Sequence, residues 1–258
     1  MSNSYFRTYE EALSQCQGGY EAEDLVDFVF NKYTAFREEI LTTNVIPHNS
    51  LPTVLGVTNH IGDYASKPKK ITVLDLGGGG GGHYFTSRLA VDKSISLSWN
   101  VVETKRLAQK CRPLSNKELK FFYKIEDAVQ SAGKVNIVLF SGSLQYLPNP
   151  EQNLNEVLKL QPKTLFLTRT GLTTNSTNEI YVQESKLSEN GPGQLECTNW
   201  DRVCKYPITL YPIDKFKDTI RSNGYGYRYA SVEERPVNIG QIQYLLYTFY
   251  LEKYKAPY

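Results

Sequence analysis

Six consecutive glycines, Gly77 to Gly82, follow the β-type run ITVLDL (71–76) and precede His83, Tyr84 and Phe85. Glycine loses more conformational freedom on folding than any other residue, so such a run is costly to order. A free linker would not be clamped between an apolar strand and an amphipathic helix. Strand, glycine loop and helix in that order instead describe a binding turn. Main chain without side chains lets a ligand approach, and the helix start offers free N–H groups. The run satisfies both G-x-G-x-x-G (Gly77, Gly79, Gly82) and G-x-G-x-G (Gly77, Gly79, Gly81), so by itself it does not choose the ligand. A phosphate-cradling Walker loop is excluded, because His83 stands where its lysine would be and no Gly-Lys-Ser/Thr follows.

The rest of the chain supplies the context. From Ile71 onward, short apolar runs alternate with helical patterns: ITVLDL, SLSWNVVE (96–103), FFYKI (121–125), VNIVLFSG (135–142) and TLFLTRT (164–170). Strands separated by helix-length segments predict βαβ units and a parallel sheet. Continuous apolarity in IVLF and TLFL fits strands covered on both faces. IDKFKDTIRSNG (213–224) predicts a helix stopped by Gly224. GYRYAS and QIQYLLYTFYLEK then predict an antiparallel hairpin at the sheet edge. Residues 5 to about 45 are helix-patterned, with Leu25, Phe28, Val29 and Tyr33 on one face. Pro47, Pro52 and Gly56 are expected to end that pattern. The expected fold is therefore α/β: a Rossmann-like, doubly wound, mostly parallel seven-stranded sheet, an antiparallel C-terminal hairpin and an N-terminal helical cap. The cap takes residues 1–70 and the ligand-binding domain residues 71–258.

Two acids flank the loop. Asp75 lies two residues before the first glycine. A carboxylate there repels a pyrophosphate by on the order of 1–4 kcal/mol and favours a cationic ligand. Glu103 ends the second strand, where an acid accepts hydrogen bonds from ribose hydroxyls, a role that serves a nicotinamide or another adenosine cofactor equally. Glu103 also reads as an exposed helix-capping acid.

Charge and composition narrow the classes. Twenty-nine basic and 27 acidic residues in 258 leave no electrostatic footprint for nucleic acid. The aromatic tail YLLYTFYLEKY alternates as a half-buried edge strand does, rather than as a base-stacking platform. No apolar stretch reaches the roughly 18 residues needed to span a bilayer, and the N-terminus lacks a signal-peptide pattern, so a cytoplasmic protein is expected. Cys16, Cys111, Cys197 and Cys204 form no C-x-x-C pair, which argues for free thiols and no zinc.

D-x-G-x-G-x-G after an apolar strand, an acid ending the next strand and a C-terminal antiparallel pair resemble class I S-adenosylmethionine-dependent methyltransferases. TYEEAL, GGYEAEDL, LDLGGGGGGHYF, WNVVE, FFYKIEDA, VLFSGSLQYLPNP and LFLTRT resemble, more narrowly, a bacterial family of methyltransferases without an assigned substrate. Some of its members are encoded near surface-polysaccharide assembly genes. The resemblance covers most of the chain to Thr170 and fades over residues 173–207. It implies S-adenosylmethionine as cofactor and a small molecule or glycan, such as a surface-polysaccharide precursor, as acceptor. It further implies that Asp75, Gly77, Gly79 and Gly81 lie under the methionine moiety and that Glu103 binds ribose. Ile125 and Glu126, at the end of the third strand, would flank adenine, and Ser141 to Gln145 would line the space towards the acceptor.

Methyl transfer from sulfonium depends mainly on alignment. A hydroxyl acceptor must also lose a proton, which a general base assists. His83, at the helix start, is the one histidine the sequence places near the cofactor, though a structural hydrogen bond explains it as well. Tyr146 is a candidate for the acceptor side, and Arg169, at the end of the fifth strand, for orienting an anionic acceptor or pairing with a carboxylate. Gln145 either donates to an acceptor oxygen or caps its loop. Two other readings stay open: an NAD(P)-dependent oxidoreductase, and a methyltransferase-like binding module without activity.

Overall fold

In the computed structural model, the described residues are 5–17, 19–64, 66, 68–193, 201–234, 236–239 and 242–254. Contacts divide them into two compact units. The first to be described comprises residues 20–139 and 185–203. It opens with α2 (Glu23–Thr43) and α3 (Leu51–Gly62), after the short helix α1 (Tyr9–Ser14) that belongs to the other unit. Then follow β1 (Lys70–Leu76), α4 (Gly82–Ala90), β2 (Ser96–Val102), α5 (Lys105–Lys110), β3 (Leu119–Phe122) and α6 (Ile125–Ala132). The strands lie in the order β3-β2-β1, all parallel, with Asp75 level with Val101 and Trp99 level with Leu119. Ile71 to Leu76 are buried without a break, as a strand covered on both faces requires. Helix α6 packs on all three strands, while α2 packs on α4 and α5 and α3 packs on α4.

The expectation that Pro52 and Gly56 end the helical pattern is wrong. Both lie inside α3. Pro52 occupies its first turn, where the missing N–H has no intrahelical partner to lose, and Gly56 is buried among its neighbours. The third strand is also shorter than FFYKI predicts. It ends at Phe122, and Ile125 and Glu126 form the first turn of α6 instead.

The α2 helix is fixed within its unit by polar ties. The Glu21 carboxylate accepts the Lys105 and Arg106 N–H groups at 2.8 and 3.2 Å, capping α5. Asp27 pairs with Lys110 at 2.9 Å, Asp24 pairs with Arg202, and the buried Lys32 ammonium donates to the Ser188 carbonyl at 2.8 Å.

The second unit comprises residues 1–19, 140–184 and 204–258. Strand β4 (Ile137–Ser141) carries the chain into it. The strand starts beside β1, where Asn136 N–H donates to the Thr72 carbonyl at 2.9 Å. It ends beside β5 (Thr164–Thr173), where Gly142 N–H donates to the Thr168 carbonyl at 2.8 Å. Helix α7 (Pro150–Lys159) joins the two. Strands β6 (Glu179–Lys186) and β7 (Val203–Pro212) follow, β6 pairing with β7 and β7 running parallel to β5 at Leu172 and Thr173. Then come α8 (Ile213–Ser222), β8 (Tyr225–Val232), β9 (Val237–Ile239) and β10 (Ile242–Lys253). Gly224, at φ +78°, ends the α8 segment as its sequence predicts.

Parallel strands with intervening helices and an antiparallel C-terminal pair give the Rossmann-like α/β fold expected. Two details are corrected. The described residues form ten strands rather than the seven expected, β6, β7 and β9 lying in segments whose apolar pattern did not announce them. The aromatic strand β10 is not at the edge, because it pairs antiparallel with β5 on one side and with β8 on the other. Its aromatic side chains fill that position by packing: Phe249 stacks on Phe216 at 4.9 Å between centroids, and Tyr250 meets Phe166 at 5.9 Å.

Tyr225, buried at the start of β8, donates its hydroxyl hydrogen to the Pro162 carbonyl at 2.7 Å. Tyr225→Phe leaves that carbonyl unsatisfied and is expected to lower stability by about 1–2 kcal/mol. The check is a Tm reduced by a few degrees; an unchanged Tm would show that the bond contributes nothing.

Candidate functional site

The glycine loop leaves β1 and enters α4. Gly77, Gly79 and Gly81 have φ values of +72°, +57° and +83°, the left-handed region that side chains resist. Gly82 already belongs to the helix. The conformation therefore selects the G-x-G-x-G reading of the run, which the sequence left open. The glycines between have a different reason. A Cβ on Gly78 would run into the Asp75 carboxylate, and one on Gly80 into Tyr33 of α2. Gly82 would press on Tyr33 and Phe36 at 3.1 and 3.3 Å. Conformation demands glycine at the odd positions and space demands it at the even ones.

Tyr33 is a neighbour of the loop that the sequence did not reveal as one. Its spacing on α2 marks it only as part of an apolar face, while its ring lies over Gly79 and Gly80. The loop, buried from Gly78 to Gly82, is roofed by an aromatic side chain.

Asp75 is wholly buried. Its Oδ2 accepts the Trp99 indole N–H at 2.9 Å and lies 3.0 Å from His83 Nδ1. A carboxylate accepts, so a neutral imidazole carries its proton on Nδ1, leaving Nε2 as its basic nitrogen. Asp75 thus ties the end of β1 to β2 through Trp99 and to α4 through His83. His83 has the structural hydrogen bond that its position at the helix start suggested, and that bond orients it.

Glu103 stands just beyond β2, half-buried. Its Oε1 accepts the Gly79 N–H at 3.0 Å and its Oε2 the Thr104 N–H at 2.9 Å. Burial raises its pKa above the ordinary 4.5; the two backbone N–H groups oppose the rise, and the charges of Asp75 and Glu21 add to it. Two carboxylates from neighbouring strands therefore touch one glycine loop. Ile125 is half-buried and Glu126 exposed in the first turn of α6.

The remaining candidates belong to the second unit. Ser141 ends β4, its hydroxyl 2.9 Å from that of Thr168. Gln145 is buried in the turn after β4 and donates from Nε2 to the Arg169 carbonyl at 3.0 Å, while its Oε1 accepts from no described residue. The Tyr146 hydroxyl donates to Gln183 Oε1 at 3.2 Å, and its ring meets Tyr206 edge-on at 5.5 Å. Burial and the neighbouring Tyr206 push its pKa up to about 12, so it stays a proton donor rather than a base. Tyr244 also donates to Gln183, at 3.3 Å.

Arg169 is not at the end of the fifth strand, because β5 continues to Thr173. It lies in a bulge. Between Tyr247 and Phe249 of β10 the partner strand steps from Thr170 to Leu167, one residue more. There Arg169 adopts φ +50°, costing roughly 1–2 kcal/mol for a residue with a Cβ. Its Nη2 donates to Ser141 Oγ at 3.1 Å.

Cys16 and Cys111 are free thiols, Cys204 is buried, and Cys197 lies outside the described residues. Among the described residues no three His, Cys, Asp or Glu side chains gather as a metal site would need, and no helix is long and apolar enough to cross a membrane.

No protein-family model matches the chain. No curated protein matches it either. Solved structures do. An S-adenosylmethionine-dependent methyltransferase from Clostridium acetobutylicum ATCC 824 aligns over 87% of this chain and 98% of its own, at 7% identity and a TM-score of 0.48. The CcbJ methyltransferase from Streptomyces caelestis aligns over 81% and 97%, at 13% identity and 0.47. The 1,6-didemethyltoxoflavin-N1-methyltransferase of Burkholderia thailandensis, with 1,6-didemethyltoxoflavin and S-adenosylhomocysteine bound, aligns over 89% of each chain at 11% identity and a TM-score of 0.45. Similarity at this level assigns no role to any residue of this chain.

The roof over the loop is testable. Gly80→Ala is expected to cost about 1–3 kcal/mol by overpacking against Tyr33. In a Tyr33→Gly background, which also removes the Tyr33 Cβ that a side chain on Gly80 would meet first, the same change should cost far less. Thermal or denaturant unfolding of the two single variants and the double variant measures that coupling. Additive costs would show that Tyr33 is not what excludes a side chain there.

Proposed function

We propose that this chain is an S-adenosylmethionine-dependent methyltransferase of class I, acting on a small molecule or glycan such as a surface-polysaccharide precursor. The observation that carries the reading is Asp75, the buried acid at which the glycine loop opens and whose carboxylate Gly78 must leave room for. A carboxylate there opposes a diphosphate and suits a ligand that carries a sulfonium and an ammonium but no phosphate. Glu103, at the end of β2 and hydrogen-bonded to the amide of the second left-handed glycine, supports an adenosine ribose without choosing between cofactors. The charge of Asp75 supports the cofactor reading over the dinucleotide one.

On this reading Gly77, Gly79 and Gly81 provide the main-chain bed for the cofactor, Glu103 accepts its ribose hydroxyls, and Ile125 and Glu126 flank its base. Asp75 works chiefly through His83 and Trp99, since its Oδ2 already has both as partners. His83, held by Nδ1, keeps Nε2 as a candidate general base for a hydroxyl acceptor. Ser141, Gln145, Tyr146 and Arg169 are the candidates for the acceptor side. When bound, the cofactor supplies a methyl group already activated by positive sulfur, so the protein's task is to align the acceptor and remove a proton. Residues 1–70 serve as the cap and 71–258 as the methyltransferase domain.

Calorimetric titration with S-adenosylhomocysteine and with NAD(H) tests the reading. Binding of the first alone is expected; tight binding of NAD(H) would replace it with the oxidoreductase reading. Binding of S-adenosylhomocysteine without methylation of any small-molecule or glycan acceptor would favour an inactive binding module.

The raised pKa of Glu103 gives a second test with opposite signs. The ionised carboxylate is the better acceptor for ribose hydroxyls, so affinity for S-adenosylhomocysteine should rise as pH climbs through that raised value. Stability of the free protein should move the other way. A folded state that holds a proton the unfolded chain has released loses stability as pH rises from 4.5 towards the raised value. Glu103→Gln should flatten the pH profile of binding; an unaltered profile would remove Glu103 from the cofactor site.

A further inference from the structure

The end of β4 and the bulge within β5 hold a feature that cofactor binding does not use. Arg169 sits in the β5 bulge with a left-handed backbone, a position that glycine would fill without strain. Its guanidinium lies along Gly142, where a Cβ would touch it, and Nη2 is steadied by Ser141 Oγ at 3.1 Å. Among the described residues no carboxylate pairs with it, although an arginine presents five N–H donors in a planar fork. Beside it, Gln145 spends its Nε2 on the Arg169 carbonyl. That carbonyl fixes which end of the amide is nitrogen, so Oε1 is the end left buried with no donor among the described residues.

We infer that Arg169 and Gln145 form a two-point recognition site for an acceptor bearing an anionic oxygen group, a carboxylate or a phosphate, next to a hydroxyl or N–H. The inference names the substrate class for the methyltransferase reading above and takes the word acceptor from it. The fork of Arg169 grips the anion in two parallel hydrogen bonds, the geometry that favours arginine over lysine. Gln145 Oε1 takes the hydrogen of the neighbouring group, which satisfies a buried acceptor. Strain at Arg169 is then the consequence of aiming this side chain rather than that of its strand neighbours, as bulges beside binding sites do.

The test titrates the full chain at fixed ionic strength, with and without S-adenosylhomocysteine, with benzoate, phenyl phosphate and the neutral benzamide. Benzoate or phenyl phosphate should bind saturably, and at least tenfold more tightly than benzamide; the tighter of the two names the source of the anion. Arg169→Gln should weaken the anion at least tenfold, and Arg169→Lys should restore only part of the loss. Arg169→Gly should weaken it equally while leaving Tm unchanged or raised, a result that a structural role for the side chain would not give. Equal affinity for benzamide, wild-type anion binding by Arg169→Gln, or no anion binding by protein that binds S-adenosylhomocysteine would each overturn the inference. Arg169-dependent anion binding without any S-adenosylhomocysteine binding would sustain the anion site and sink the methyltransferase reading instead.

Discussion

Burying the Asp75 carboxylate at the end of β1 is affordable only because donors meet it there. An isolated buried carboxylate costs several kcal/mol, and removing one of its partners exposes that cost. Trp99 reaches it from β2 and His83 from α4, at 2.9 and 3.0 Å on the same oxygen. The carboxylate therefore locks two strands and the first helix into one register, and it crowds Gly78 so that the loop above it must stay bare. The path of the glycine loop, the tautomer of His83 and the seat of the indole all depend on this one group.

Above the loop the constraint comes from the other side. Tyr33 reaches the glycines from α2, which is tied down by Glu21 on the start of α5 and by Lys32 on the Ser188 carbonyl. Glu103 adds a second negative group at the Gly79 amide. A ligand for this loop must accept a negative environment from two strands and an aromatic neighbour from a helix. Those are the conditions under which a cation is held best, since an aromatic face and a carboxylate both favour positive charge.

Much of this was legible in the amino-acid order. Strands buried on both faces announced themselves by continuous apolarity, and the places of Asp75, the glycines and Glu103 at or beside strand ends followed from their order in the chain. What stayed hidden depended on partners distant in sequence. Tyr33 is one aromatic among 19 tyrosines, and only the folded chain shows which of them roofs the loop. Pro52 looked like a breaker because its meaning changes with its place in a helix, and at the first turn it does no harm. The β5 bulge at Arg169 has no local signature, since arginine is not the residue such a backbone prefers. β10 read as an edge strand because alternation reports which faces are covered, not which edges are paired.

The chain passes between its two units four times: after residues 19, 139, 184 and 203. No single cut can therefore release either unit intact. During synthesis, residues 20–139 emerge early and can begin to pair β1, β2 and β3 while α1 waits for strands made at the far end of the chain. Residues 185–203 then return to the first-formed unit late, bringing Ser188 to Lys32 and Arg202 to Asp24. A ribosome-bound intermediate would thus carry a nascent glycine turn whose overlying helix is still missing its last fastening.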